Sequence, residues 1–284
     1  MSCHRSRAPL RGCGAGGPAE DRRITNSHLL GHGPRAVPYQ LLLACLLLPA
    51  CGQPAAQPPA RGPAGKRVDA TTAGAIGGRV VFHGAVPTNA RLQTTSDAFC
   101  VSANPGHSVV DEAAVVGPDG GLQNVFVYVR DGLSAYAFDT PAQPVRIEQQ
   151  GCRFSPHVTG LQVAQRLELV NRDTTLHNVH AVARANDEFN IGLVEHQSIT
   201  RAFAAPEVMV TLRCDVHSWM KAYAGVVAHP YFAVTAADGR FDLKGLPPGE
   251  YVIEAWHETF GRRTERVSLR PNERREIAFT FGAT

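Results

Sequence analysis

Cys214, His217 and Met220 fall at three-residue intervals in "TLRCDVHSWMKAY", directly after an apolar, β-branched run. A thiolate, an imidazole and a thioether on one short loop are soft or borderline donors, and together they ask for a metal. Each alone has an ordinary reading: a buried thiol or half of a disulfide, a loop histidine, a core methionine. The spacing therefore raises two questions, which metal it is and where a further ligand lies.

Such a loop needs strands to carry it. The chain has 284 residues, 44% hydrophobic and 19% charged, enough for one large or two modest globular domains. Its formal charge of +3 is too small to argue for nucleic acid, and several arginines fall within the first 35 residues. From Gly77 onward short β-rich runs alternate with turn signals, and no helical period persists. Strands are predicted over 78–84, 123–129, 144–150, 166–172, 178–184, 198–204, 208–214, 222–229, 231–236, 239–245, 250–257, 265–270 and 275–281. Asp238-Gly239 and Pro247-Pro248-Gly249 read as turns between them. The fold class is all-β, and so many strands require two sandwiches.

Ahead of them, "AVPYQLLLACLLLPACG" has an apolar run of signal-peptide length behind Arg35, too short to span a bilayer. Residues 1–50 read as a leader, and 1–34 are long enough in front of a signal to suggest a start site placed too early. Arg22-Arg23 lies far from the apolar run and lacks the rest of a twin-arginine signal. Leu48-Pro49-Ala50-Cys51 resembles the bacterial lipobox, which makes Cys51 the expected lipidation site; Leu42 to Cys45 is a less well placed alternative, and an ordinary cleaved signal or uncleaved anchor is another. Residues 51–75 are a tether too rich in Pro, Ala and Gly to pack. The expected setting is the bacterial envelope, facing the periplasm and anchored to a membrane by lipid. Of seven cysteines, Cys3, Cys13 and Cys45 leave with the leader. A Cys100–Cys152 disulfide then leaves Cys214 as the spare thiol, while Cys152-x4-His157 offers a metal-binding rival to that bridge.

The end of the chain, "FAVTAADGRFDLKGLPPGEYVIEAW", resembles the carboxypeptidase regulatory-like domain of transthyretin-like fold. The module's first strands find counterparts at Gly78 to Val81 and Asn124 to Val129, far upstream. The resemblance implies one interrupted sandwich, with parts at 76–135 and 229–284 and an insertion at 136–228; three consecutive small β units are the alternative, though 76–135 alone has too few strands for a core.

Within the insertion, "RLELVNRDTTLHN" followed by "VTLRCDVHSWMKAY" resembles a cupredoxin, closest in loop spacing to amicyanin and plastocyanin-type blue copper proteins. The resemblance implies a Greek-key sandwich and one type 1 copper held by His177, Cys214, His217 and Met220. Two imidazoles and a thiolate with a weak thioether suit both Cu(I) and Cu(II), whereas zinc rarely takes methionine. By the same resemblance Asn178 ties its strand to the ligand loop near the sulfur. The edge of His217 is implied to face solvent as the electron port, with Trp219 beside it. Glu207 in place of a glycine and Leu212 in place of an aromatic depart from the family pattern.

The implied activity is one-electron transfer with a redox partner protein, not an enzyme and without an organic substrate. Copper storage or delivery, and a structural envelope module with a vestigial site, are the competing readings. His180, three residues after His177 on a strand, points to the opposite face. His157, His229 and His257 near strand ends read either as satisfied polar groups or, with His180, as a second metal site. "AWHE" lacks a nucleophile to make a hydrolytic pair.

Overall fold

The computed structural model describes residues 65–106 and 109–282. The leader, the lipobox with Cys51 and most of the tether lie outside the described residues. Before residue 136 run β1 (Gly74–His83), the short helix α1 (Ala98–Ala103) and β2 (Phe126–Asp131). Next come β3 (Val145–Gln149), β4 (Phe154–Ser155), β5 (Val158–Gln162), β6 (Leu167–Asn171), β7 (His177–Val182) and β8 (Phe189–Leu193). β9 (Ser198–Arg201), β10 (Glu207–Arg213) and β11 (Lys221–Val227) follow. The chain continues through β12 (Phe232–Val234), β13 (Arg240–Leu246), β14 (Gly249–His257), β15 (Gly261–Leu269) and β16 (Arg274–Gly282).

Four sheets result, in the orders β13-β1-β16, β12-β2-β14-β15, β5-β11-β10-β7-β8 and β4-β3-β6-β9. The first two contain strands only from the two ends of the described chain, and they enclose one core of Ile76, Val80, Leu122, Val127, Ile253, Phe279 and Phe281 among others. The other two contain only β3 to β11 and enclose a second core, built on Ile147, Leu161, Leu169, Val179, Val210 and Leu212. The protein is thus all-β in two sandwiches, one of them assembled from sequence on either side of the other. Alternation explains the strands: β10 buries Val210 and Leu212 while Thr211 between them is half-buried and Arg213 exposed, the period of two that a pleated strand imposes. At the "GLPPGEY" corner, the Tyr251 hydroxyl donates to the carbonyl of Pro247 and fixes the passage from β13 to β14.

The sandwiches meet on a floor of glycine. Gly160 of β5 pairs with Gly225 of β11, and Phe126 of β2 packs on both. A Cβ at Gly160 would stand 2.4 Å from the Phe232 ring and one at Gly225 would stand 2.5 Å from the Phe126 ring. That requirement also hides β5 from the sequence: "VTGLQ" has a glycine where strand propensity wants a branched side chain. β4 and β8 escape as well, being two residues long and glycine-interrupted respectively. Helix α1 is six residues long, below the length at which periodicity is readable.

Candidate metal centre

His177 opens β7, and β10 ends at Arg213, immediately before Cys214. The antiparallel pairing of Arg213 with His180 and Leu212 with Ala181 brings the start of β7 beside the loop that leaves β10. Arg213 also pairs with Lys221 of β11, closing that loop at its base. Inside it, the Met220 N–H donates to the carbonyl of His217 at 2.8 Å, the Cys214 N–H to that of Met220 at 3.1 Å, and the His217 N–H to the Cys214 sulfur at 3.3 Å. Asn178 reaches across from β7: its Oδ1 accepts from the Asp215 N–H at 2.7 Å and the Val216 N–H at 3.2 Å, and lies 3.2 Å from the Cys214 Sγ. The loop is therefore held from within and from the neighbouring strand.

The structure brings three of the four expected ligands to one point. His177 Nδ1 and His217 Nδ1 are 2.8 Å apart, and Cys214 Sγ is 3.9 Å from His217 Nδ1. All three side chains are buried, and their donor atoms form a group able to hold a metal ion. Met220 is buried in the same core as Cys214, tied to Cys214 and His217 through its backbone.

Two carboxylates hold the imidazoles from behind. Asp173, four residues before His177, accepts from His177 Nε2 at 2.9 Å and from the N–H groups of Gly151 and Cys152 at 2.7 and 2.8 Å. Gly151 and Cys152 have φ of 60° and 57°, the left-handed turn that points both N–H groups at Asp173. His217 Nε2 is 3.2 Å from Asp97 Oδ2, on the residue that caps helix α1. With each Nε2 occupied, each ring turns its Nδ1 inward, which is the tautomer control that metal-binding histidines need.

The electrostatics follow from these contacts. Burial opposes a charge on His177, but Asp173 and the Cys214 sulfur outweigh it and raise its pKa to about 9. Burial likewise disfavours the Cys214 thiolate, yet His177 and the surrounding N–H groups bring its pKa below the usual thiol value. His217 moves the other way, lowered by burial against the pull of Asp97. A thiolate beside an imidazolium is a pair from which a cation displaces the proton.

The exposed edge expected for His217 is not found. His217 is 1% exposed, because α1 and Asp97 cover Nε2. Trp219 does lie beside it, with ring centroids 5.0 Å apart, and its indole N–H donates to the carbonyl of Cys152 at 3.1 Å. Cys100 and Cys152 form a disulfide, both fully buried in the core of the sandwich built from β3 to β11. The four other histidines that the sequence singled out find other partners. His180 contacts Asp215 and Glu188 at the surface, His157 contacts Glu258, and His229 Nε2 meets the carbonyl of Val129. His257 Nδ1 accepts from the N–H groups of Thr259 and Phe260. They do not converge on a second site. Asp97 and Asp173 are the site residues that sequence reasoning missed. Asp173 had a signal in its place at the strand end four residues before His177; Asp97, 120 residues from His217, had none.

No protein-family model matches the chain, and no curated protein matches it. Solved structures resemble part of it. The copper-containing nitrite reductase of Thermus scotoductus SA-01 is 23% identical over 33% of this chain and 24% of its own, with a TM-score of 0.28, so the chain spans about a quarter of that protein. A purple cupredoxin from Nitrosopumilus maritimus is 17% identical over 29% of this chain and 98% of its own, with a TM-score of 0.26. Amicyanin from Paracoccus versutus is 19% identical over 35% of this chain and 96% of its own, with a TM-score of 0.27. At these identities and TM-scores the chemistry of the centre rests on its own residues, not on these likenesses.

Proposed function

We propose that the protein binds one type 1 copper through His177, Cys214, His217 and Met220 and carries single electrons. The observation that carries this reading is the convergence of His177 Nδ1, His217 Nδ1 and Cys214 Sγ in a buried pocket, with both Nε2 atoms already engaged by carboxylates. Two imidazoles and a thiolate, with a methionine buried on the same loop, fit copper in either oxidation state and fit zinc poorly. Bound there, copper supplies a reversible Cu(I)/Cu(II) couple. The chain's own part is to hold the donors rigid, through Asn178, Asp173 and the hydrogen bonds inside the loop, so that little rearranges as the charge changes. Burial of the donors keeps water off the centre.

Electrons need a face to cross. Leu176 and Val194, opposite each other just beyond the His177–Leu193 pair, and Val216, next to His217, are 49%, 59% and 49% exposed. These exposed apolar side chains, next in sequence to His177, Leu193 and His217, suit a redox partner protein. The enclosing sandwich is read as a transthyretin-like, carboxypeptidase regulatory-like module. Cys51 is read as a lipid anchor in a bacterial envelope, facing the periplasm. The function is electron transfer rather than catalysis, and burial of the donors favours it over copper storage or delivery, where ligands must be reached for exchange.

The test is spectroscopic. Copper-loaded protein is expected to show an intense thiolate-to-copper band in the visible, lost in Cys214→Ser. A colourless Cu(II) complex rejects the assignment.

A further inference from the structure

We propose that Asp97, supplied by the excursion between β1 and β2, is a positioning residue of the metal centre. It holds the His217 imidazole by Nε2 and makes the centre harder to reduce. The inference rests on the copper reading above and extends it to a residue outside the sandwich that carries the ligands.

The geometry asks for more than a helix cap. Asp97 Oδ1 accepts from the Cys100 N–H at 3.1 Å, the bond expected of a helix cap. Oδ2 is turned the other way, 3.2 Å from His217 Nε2, and accepts from the Thr175 hydroxyl at 3.0 Å. Thr175 lies two residues before His177, so one carboxylate oxygen spans both ligand segments. The helix that carries it is fixed at three points. Asp97 holds its start, the Cys100–Cys152 disulfide its middle, and Asn104 its end, donating to the carbonyl of Gly151 at 3.2 Å. A contact anchored in this way is a permanent part of the centre.

Its electrostatic effect follows from charge. The oxidised centre carries one more positive charge than the reduced one, so a fixed anion beside a ligand favours the oxidised state. A carboxylate accepting from the far nitrogen also makes the imidazole a stronger donor, with the same result. With His217 2% exposed in its side chain and Asp97 22%, water and salt screen the interaction less than at an open surface. Asp173 does for His177 what Asp97 does for His217, so both imidazoles are backed by anions.

The experiment is protein-film voltammetry on the copper-loaded full chain, with visible spectra taken in parallel. Asp97→Asn removes the charge and keeps a capping side chain; Asp97→Ser is a second neutral cap in case the amide misfolds the turn. Both are expected to keep the thiolate band and shift the reduction potential positive. Thr175→Ala removes the neighbouring bond, keeps the charge, and is expected to shift it less. A wild-type potential in both Asp97 variants, with the band intact, overturns the proposal. Nitrogen-15 spectra of the metal-free chain separate this from failure of the copper reading: wild type is expected to show His217 protonated at Nε2, and the Asp97 variants to lose that preference. If the wild type shows no band, a retained preference in the variants overturns the positioning role, and its loss supports it.

Discussion

At the scale of single residues, the centre depends on side chains that bind no metal as much as on those expected to. Asn178 Oδ1 serves two backbone N–H groups of the ligand loop from a neighbouring strand. Asn178→Ala leaves both without their partner, and a loss of about 1–3 kcal/mol in thermal or denaturant unfolding of the metal-free protein is expected. Asp173 receives His177 Nε2 and two N–H groups while 3% exposed. Asp173→Ala is expected to weaken copper binding by about 10–100-fold, read by competition with a coloured chelator, because the imidazole loses the group that fixes its tautomer. The four donors and Asn178 are legible in the sequence because they cluster in two short segments. Asp97 is invisible there, since nothing local in "TSDAFC" distinguishes a cap that also touches a ligand from one that does not.

At the scale of elements, the decisive pair is β7 and β10. Their antiparallel register places the His177 end of one beside the Cys214 end of the other, and a slip of one residue would turn each side chain to the opposite face. The second element is α1, which the Cys100–Cys152 disulfide fixes to the sandwich that carries the ligand loop, across 52 residues. Replacing both cysteines with serine is expected to cost about 2–5 kcal/mol in the non-reduced protein. Copper release to a chelator is also expected to quicken, because α1 then loses its central tether over His217. Unchanged release would mean that Asp97 and Asn104 hold the helix unaided. The cysteine count made this bridge legible. Its consequence, a helix covering the ligand edge expected to be open, was not, because α1 has too few residues to announce itself.

At the scale of the whole molecule, two sandwiches share an interface of aromatic rings on glycine and a buried polar cluster. Gly225→Ala is expected to destabilise the protein by about 1–3 kcal/mol, since the added carbon meets the fully buried Phe126 ring. In the polar cluster, Glu258 of the outer sandwich meets His157 and accepts from Tyr223 at 3.0 Å and Lys221 at 3.0 Å, all on the sandwich built from β3 to β11. Burial would raise its pKa, but His157 and Lys221 outweigh that and push it down to about 2 from 4.5. A depressed carboxylate stabilises the fold fully above 4.5, and the contribution, on the order of 3 kcal/mol, fades as the pH falls toward 2. Thermal unfolding of Glu258→Gln should therefore lie below wild type at pH 7, and the gap should narrow between pH 4.5 and 2.

The sequence by itself determined the β class, most strands, the ligand loop with its partner histidine, and the spare cysteine. Each of these is written in local pattern: alternation of period two, turn residues, and donors spaced by three along a loop. The interrupted sandwich was legible too, through the resemblance of its two separated parts to one module, and in the strand order the two ends of the described chain share one sheet pair. Tertiary structure alone brought Asp97 to His217 and closed the edge of that imidazole. Contacts between residues more than a hundred positions apart leave no periodic trace in a single chain. They arise from where cores pack, and here a disulfide, the Asp97 carboxylate and the Asn104 amide set where α1 comes to rest.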